Sequence, residues 1–290
     1  MTIPFANLLN DPPPSYAFEL SEVGIAFART GSQEQLGFEP YSAPVLKISP
    51  VHDNVQDVEG LQATLDRIVP RDNKKRRVAV ILPDYCSRVA VLDFDSFPAA
   101  AEEQLALVRF RMKKSVPFDV DSAVVSYFAQ PRQGTQKIDV VVAIMAREIV
   151  TRYEAPFRLS GMQPGFVTTS SLAMLNAINP GGMTLVAKLG GRTLSAMVLD
   201  GSAVKLVRCV EMESADRDEI ESVLHPTFAY IEDELETKPD RLLLSGFGAD
   251  SQDLAEEWQE QWSAAVEPLR SRRGTPSQYN AGLLGYLESV

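Results

Sequence analysis

Lys188-Leu189-Gly190-Gly191-Arg192 sets a pair of glycines between two cations. Backbone N–H groups together with two cations can hold a polyphosphate without a metal ion. The same Gly-Gly between alternating apolar stretches is also the default two-residue hairpin turn, and both readings stand. Glu19 and Glu22 flank Leu20-Ser21 near the start of the chain. Glu22 reads as an exposed turn residue, which leaves Glu19 as the carboxylate placed to act as a general base.

The remaining reactive side chains do not assemble into a catalytic pattern. His52 and His225 are far apart, with no Asp, Glu or Cys spacing around them, so neither a metal site nor a catalytic triad is expected. Cys86 and Cys209 lack metal-ligand spacing and a neighbouring His, and read as buried thiols. No catalytic residue and no metal ligand is therefore assigned. Arg109, Arg111 and Lys113 cluster at the end of a helical stretch. They either complement the negative end of that helix or face an acidic partner or anionic headgroups. The run Lys74 to Arg77 reads as a solvated loop ahead of a strand.

Alternating and apolar runs supply the elements that position these residues. Strands are expected at 16–20 and 23–28, a helix at 58–68 with Leu61, Leu65 and Ile68 on one face, and a doubly covered strand at 77–82. A small α+β module follows, with a helix at 99–114, strands at 122–129 and 137–144 joined by a turn around Pro131 and Gly134, and a helix at 147–160. A strand at 165–168, a helix at 170–178 and a break at 179–182 end the first lobe. The second lobe reads as three antiparallel strands (184–189, 193–199, 204–210), a helix over 214–236 that Pro226 should kink or split, a strand at 241–245, and helices at 253–262 and around 283–287. Both lobes open with a hairpin and close with strand and helix, a coarse internal duplication. The divisions are 1–15 as an N-terminal arm rich in proline, 16–92 and 164–182 as the first lobe, 93–163 as an inserted module, and 183–290 as the second lobe.

The composition is that of a globular chain: 290 residues, 45% hydrophobic and 23% charged. Twenty-eight Lys and Arg against 39 Asp and Glu give a net charge of −11, which disfavours general nucleic-acid binding. No basic and apolar leader or membrane span is read, so a cytoplasmic location is expected.

The order of elements resembles the actin-like ATPases, most closely their PilM-like branch, cytoplasmic proteins of type IV pilus assembly. The likeness rests on Ile81-Leu82-Pro83 through Phe97-Pro98, Ser115-Val116-Pro117-Phe118, the stretch from Val141 to Glu148, and Leu159-Ser160-Gly161-Met162-Gln163-Pro164. It implies a two-lobed α/β, ribonuclease H-like fold with an inserted 1C subdomain. Only 209–240 stands where such chains usually carry a 2B subdomain, so that unit reads as largely deleted.

The family's nucleotide motifs would fall on Glu19, Ser21, Lys188, Gly190, Gly191, Gly246 and Gly248. Here they carry Glu22 at a phosphate turn, Lys188 in place of an Asp, and Phe247 in place of a Gly. The resemblance therefore implies a degenerate cleft and a non-enzymatic scaffold without a cofactor, the alternative being an ATP-binding protein or slow ATPase rebuilt around Lys188. It further implies a partner, the cytoplasmic tail of a PilN-like bitopic inner-membrane protein, taken between subdomains 1A and 1C at the inner face of the membrane. Arg109, Arg111 and Lys113 would assist its binding. The arm segment Phe5 to Asn10 resembles the Asn-Leu-Leu core of such a tail and suggests self-association.

Overall fold

A computed structural model describes residues 14–30, 35–69, 75–132 and 137–290, the side chain of Pro131 excepted. The arm segment, Lys74 and Gly134 lie outside the described residues. The first lobe begins with β1 (Tyr16–Leu20), β2 (Gly24–Arg29), β3 (Gln35–Pro40), α1 (Val58–Ile68) and β4 (Arg76–Leu82). Next come β5 (Arg88–Phe94), α2 (Ala101–Met112), β6 (Val124–Pro131) and β7 (Ile138–Met145). The chain returns to the first lobe with α3 (Arg147–Leu159), β8 (Met162–Thr169) and α4 (Ser170–Met174). The second lobe contains β9 (Gly181–Gly190), β10 (Thr193–Gly201), β11 (Ala203–Glu211), α5 (Arg217–Glu234), β12 (Arg241–Ser245), α6 (Ser251–Trp262) and β13 (Ala265–Pro268), and α7 (Ala281–Glu288) closes the chain.

The duplication is visible strand by strand. The sheet orders are β3-β2-β1-β4-β8 and β11-β10-β9-β12-β13, the same pattern twice, with three antiparallel strands followed by two parallel ones. What the first lobe has beyond the second is the three-stranded sheet β5-β7-β6 with α2. This corrects both edges of the expected insert. β5 belongs to the extra sheet although it starts before residue 93, whereas α3 packs Ile149, Tyr153 and Phe157 into the first lobe's core and is the counterpart of α6. Likewise β9 begins at Gly181 and runs through the expected lobe boundary.

Local chemistry explains the elements that hold the cleft. The Asp57 carboxylate accepts the Gly60 N–H at 2.9 Å and starts α1, whose Leu61 and Leu65 are buried one turn apart. β4 is apolar on both faces because α1 and α3 cover Val78 and Val80, while α7 covers Ala79 and Ile81. A Cβ at Gly282 would lie 2.7 Å from the Ser170 Cα, so only glycine lets α7 approach α4 this closely. Pro226 does not split its helix: α5 runs unbroken, with Val223, Leu224, Phe228 and Ile231 buried against one sheet. Burial on both sides of the proline outweighs the roughly 3 kcal/mol that an interior proline costs.

Candidate functional site

The turn after β1 and the turn after β9 face each other across an open cleft with an empty volume of ≈ 570 Å³, lined by Glu19, Ser21, Glu22, Asp84, Lys188 and Gly190 among others. Residues from the first two glycine- and acid-bearing motifs thus meet, although they lie far apart in the chain. The β9–β10 turn is one residue later than the Gly-Gly reading gives: Gly190 pairs with Thr193, so Gly191 and Arg192 form the turn. The third motif stands behind the cleft. Gly246 has φ +86°, and a Cβ there would lie 2.1 Å from the Leu189 carbonyl oxygen, so its backbone buttresses the strand that carries Lys188. Phe247 turns into the second lobe's core, 6.0 Å from the Trp258 ring, and Gly248 begins a short 3₁₀ turn.

The floor of the cleft holds a buried charge cluster. Lys188 Nζ donates to Asp84 Oδ2 at 2.9 Å, and the residues are 4% and 6% exposed. Ser195 Oγ donates to the same oxygen at 2.9 Å, and the Ser171 N–H at the start of α4 donates to Asp84 Oδ1 at 2.7 Å. Glu19 is equally engaged: Ser170 Oγ donates to its Oε1, and the Leu283 N–H in the first turn of α7 donates to its Oε2 at 2.7 Å. Each carboxylate caps a helix start, where its charge meets unpaired N–H groups.

Burial works to raise the Asp84 carboxyl, but the Lys188 charge and the Ser171 bonds outweigh it and hold it below the usual carboxylate range. Glu19 goes the other way, raised by burial against the opposing pull of Lys188, Ser170 and Leu283. Burial alone would lower Lys188, yet the charges of Asp84 and Glu19 leave it raised. Both thiols are lifted by burial, Cys209 to about 12, which suits no nucleophile.

Of the two cations of the phosphate-cradle reading, one is committed elsewhere and the other is engaged only at the surface. Lys188 is bound to Asp84, and Arg192 points along the sheet to Glu211 at 3.4 Å. Glu22 accepts the Ile48 N–H at 3.3 Å. A divalent cation does not fit this floor. Asp84 and Glu19, the carboxylates that would ligate it, already accept hydrogen bonds on all four oxygens, and an ammonium group stands against Asp84. Among the described residues no group of three or more His, Cys, Asp or Glu is placed to hold a metal.

The basic cluster on α2 also separates. Arg109 donates to the carbonyls of Val120, Asp121 and Ala123 and so ties α2 to the loop before β6. Arg111 folds back onto Asp93 and lies 5.0 Å from the centre of the Phe94 ring. Both thereby brace the insert, Arg109 through loop carbonyls and Arg111 through Asp93 near the end of β5. Lys113 is exposed at the helix end, near Phe110, which is 75% exposed.

A second concavity lies where the insert meets both lobes. Ser126, Phe128, Val141 and Ala143 form one wall, Leu172 and Leu175 another, and Ser202 and Val204 of the second lobe the end of this open concavity, whose empty volume is ≈ 720 Å³. The outer edge of β6 has no strand partner among the described residues.

Asp84 is the site residue that motif reasoning missed. It follows Pro83 at the end of a buried apolar run, the one signal that could have marked it as a carboxylate at a strand end.

The duplicated sheets and the cleft between them define the actin-like ATPase fold. A solved structure of a "PilM-PilN type IV pilus biogenesis complex" matches with a TM-score of 0.70 at 17% identity, covering 95% of this chain and 96% of that one. A Bacteroides thetaiotaomicron protein "with actin-like ATPase fold and unknown function" matches with a TM-score of 0.55 at 15% identity, covering 98% and 99%. No family model and no curated protein matches the chain. Among the described residues no helix is long and apolar enough to cross a membrane.

Proposed function

We propose that this chain is a cytoplasmic, non-enzymatic scaffold of type IV pilus or related secretion machinery, which binds the cytoplasmic tail of a PilN-like inner-membrane protein at the inner face of the membrane. The observation that carries this reading is the apolar concavity beside the open edge of β6, bounded by Phe128, Val141 and Leu175. An extended tail there would add a strand to the insert's sheet and bury alternate side chains under α4. The likeness to the fold of a PilM–PilN complex supports it. The committed charges of Lys188 and Asp84 support a role without ATP hydrolysis, since phosphoryl transfer needs cations free to neutralise the transferring group.

The test is fluorescence polarisation with labelled tails of the PilN-like proteins encoded in the same cell. A dissociation constant on the order of 1 μM, about −8 kcal/mol, is expected for one of them. Phe128→Asp should abolish it, and Lys113→Glu should leave it within a few-fold. Failure of every tail to bind the wild-type protein would contradict the reading. A second reading, an ATP-binding protein with a rebuilt phosphate site, is favoured by Ser21, Gly190 and Gly191 still lining the cleft. It predicts stabilisation of the wild type by ATP in a thermal-shift assay.

A further inference from the structure

Besides α7, whose Leu283 and Tyr286 pack on the first lobe's sheet, two joints tie the three parts of the chain together. At the cleft floor, Asp84 of the first lobe takes Lys188 and Ser195 of the second. At the insert, the Gln130 side chain acts like a short strand toward β11: its Nε2 donates to the Val204 carbonyl at 3.0 Å, and its Oε1 accepts the Val204 N–H at 2.9 Å. Next to it Lys205 Nζ lies 3.2 Å from Asp139 of the insert, whose other oxygen accepts from Arg132. Beneath these polar contacts a single buried apolar cluster draws on all three parts, with Val89 from the insert, Leu175 from the first lobe and Val207 from the second.

We propose that the insert and the Lys188–Asp84 pair hold the two lobes closed with nothing in the cleft, so that the protein keeps one lobe arrangement whether or not a nucleotide is present. The joints divide the work. The apolar cluster supplies adhesion, since burying such surface is favourable and non-directional. The polar contacts supply register, because a displaced lobe would leave a buried carboxylate, ammonium or amide without its partner. A ligand shifts a conformational equilibrium only by its differential affinity for the two states. A floor already spanned by the protein's own ammonium leaves a cleft ligand little to add by bridging the lobes. This inference stands whether or not the groove takes a membrane-protein tail.

Small-angle scattering of the full chain decides it, with the native Cys209 as a second probe. Cys209 is half-buried on β11 opposite Ser195, at the cleft-floor joint. Wild type without ligand should scatter as the closed structure, and millimolar Mg-ATP should leave the radius of gyration unchanged. The double variant Gln130→Ala, Lys188→Met should keep its far-UV circular dichroism while its radius of gyration rises and its thiol labels at least tenfold faster. Compaction of wild type by Mg-ATP, or open scattering without it, would overturn the proposal. So would a folded double variant with wild-type scattering and labelling. If that variant does not fold, the two wild-type measurements decide alone.

Discussion

Lys188 Nζ sits 2.9 Å from Asp84 Oδ2 across the cleft, although 104 residues separate them in the chain. A lone charge buried here would be costly, so each residue accounts for the presence of the other. Breaking such a pair by removing one partner typically costs about 3–5 kcal/mol, whereas replacing both with neutral groups is often close to neutral. Lys188→Met should therefore lower the unfolding free energy by roughly that amount in a urea titration. Adding Asp84→Asn should recover more than half of the loss. A double-variant loss equal to the sum of the losses in Lys188→Met and Asp84→Asn alone would show that the pair is not coupled.

The cluster sets opposite pH trends for its two carboxylates. Asp84 titrates below the usual range in the folded state, so its stabilising contribution is complete above about pH 4 and is lost as pH falls through its folded value. Glu19 is raised by burial, so folding favours its protonated form, and a cost appears as pH rises from about 4.3 through its folded value. Lys188, raised by Asp84 and Glu19, contributes stability below about pH 10.4 that disappears as pH climbs through its folded value. Glu19→Gln should thus gain melting temperature relative to wild type between pH 4 and pH 7. A constant difference across that range would place Glu19 outside the cluster's balance.

Arg109 is expected to matter for the insert's stability more than for any partner. Its guanidinium reaches three loop carbonyls while only partly buried, and hydrogen bonds to a charged group contribute about 1.5–3 kcal/mol, here toward the lower end. Arg109→Ala should speed amide hydrogen exchange in residues 120–126 and lower the melting temperature. Lys113→Ala should do neither.

Much of this architecture can be read from the amino-acid pattern. The helix with Leu61 and Leu65 has the bounds its periodicity gives, and the repeated hairpin-strand order yields the two lobes. β3 escaped detection because Gly37 interrupts a short alternation whose Leu36 and Phe38 are exposed, and β5 because its alternation follows a 3₁₀ turn. At the site, Glu19 was legible as a carboxylate at a motif position and Lys188 as a departure from a motif. Asp84 was not, since its role exists only once the β4 end, the α4 start and β9 converge. The bonds that Arg109 and Arg111 make within the insert were not legible, because a run of cations carries no record of the carbonyls that face it.

We propose that the Lys188 ammonium group takes the place of the cation a nucleotide would bring to the cleft. Isothermal titration calorimetry of Mg-ATP into the wild-type protein at pH 7.5 tests this most directly. No binding heat is expected up to millimolar nucleotide, with or without Mg²⁺. A dissociation constant in the micromolar range that depends on Mg²⁺ would contradict it.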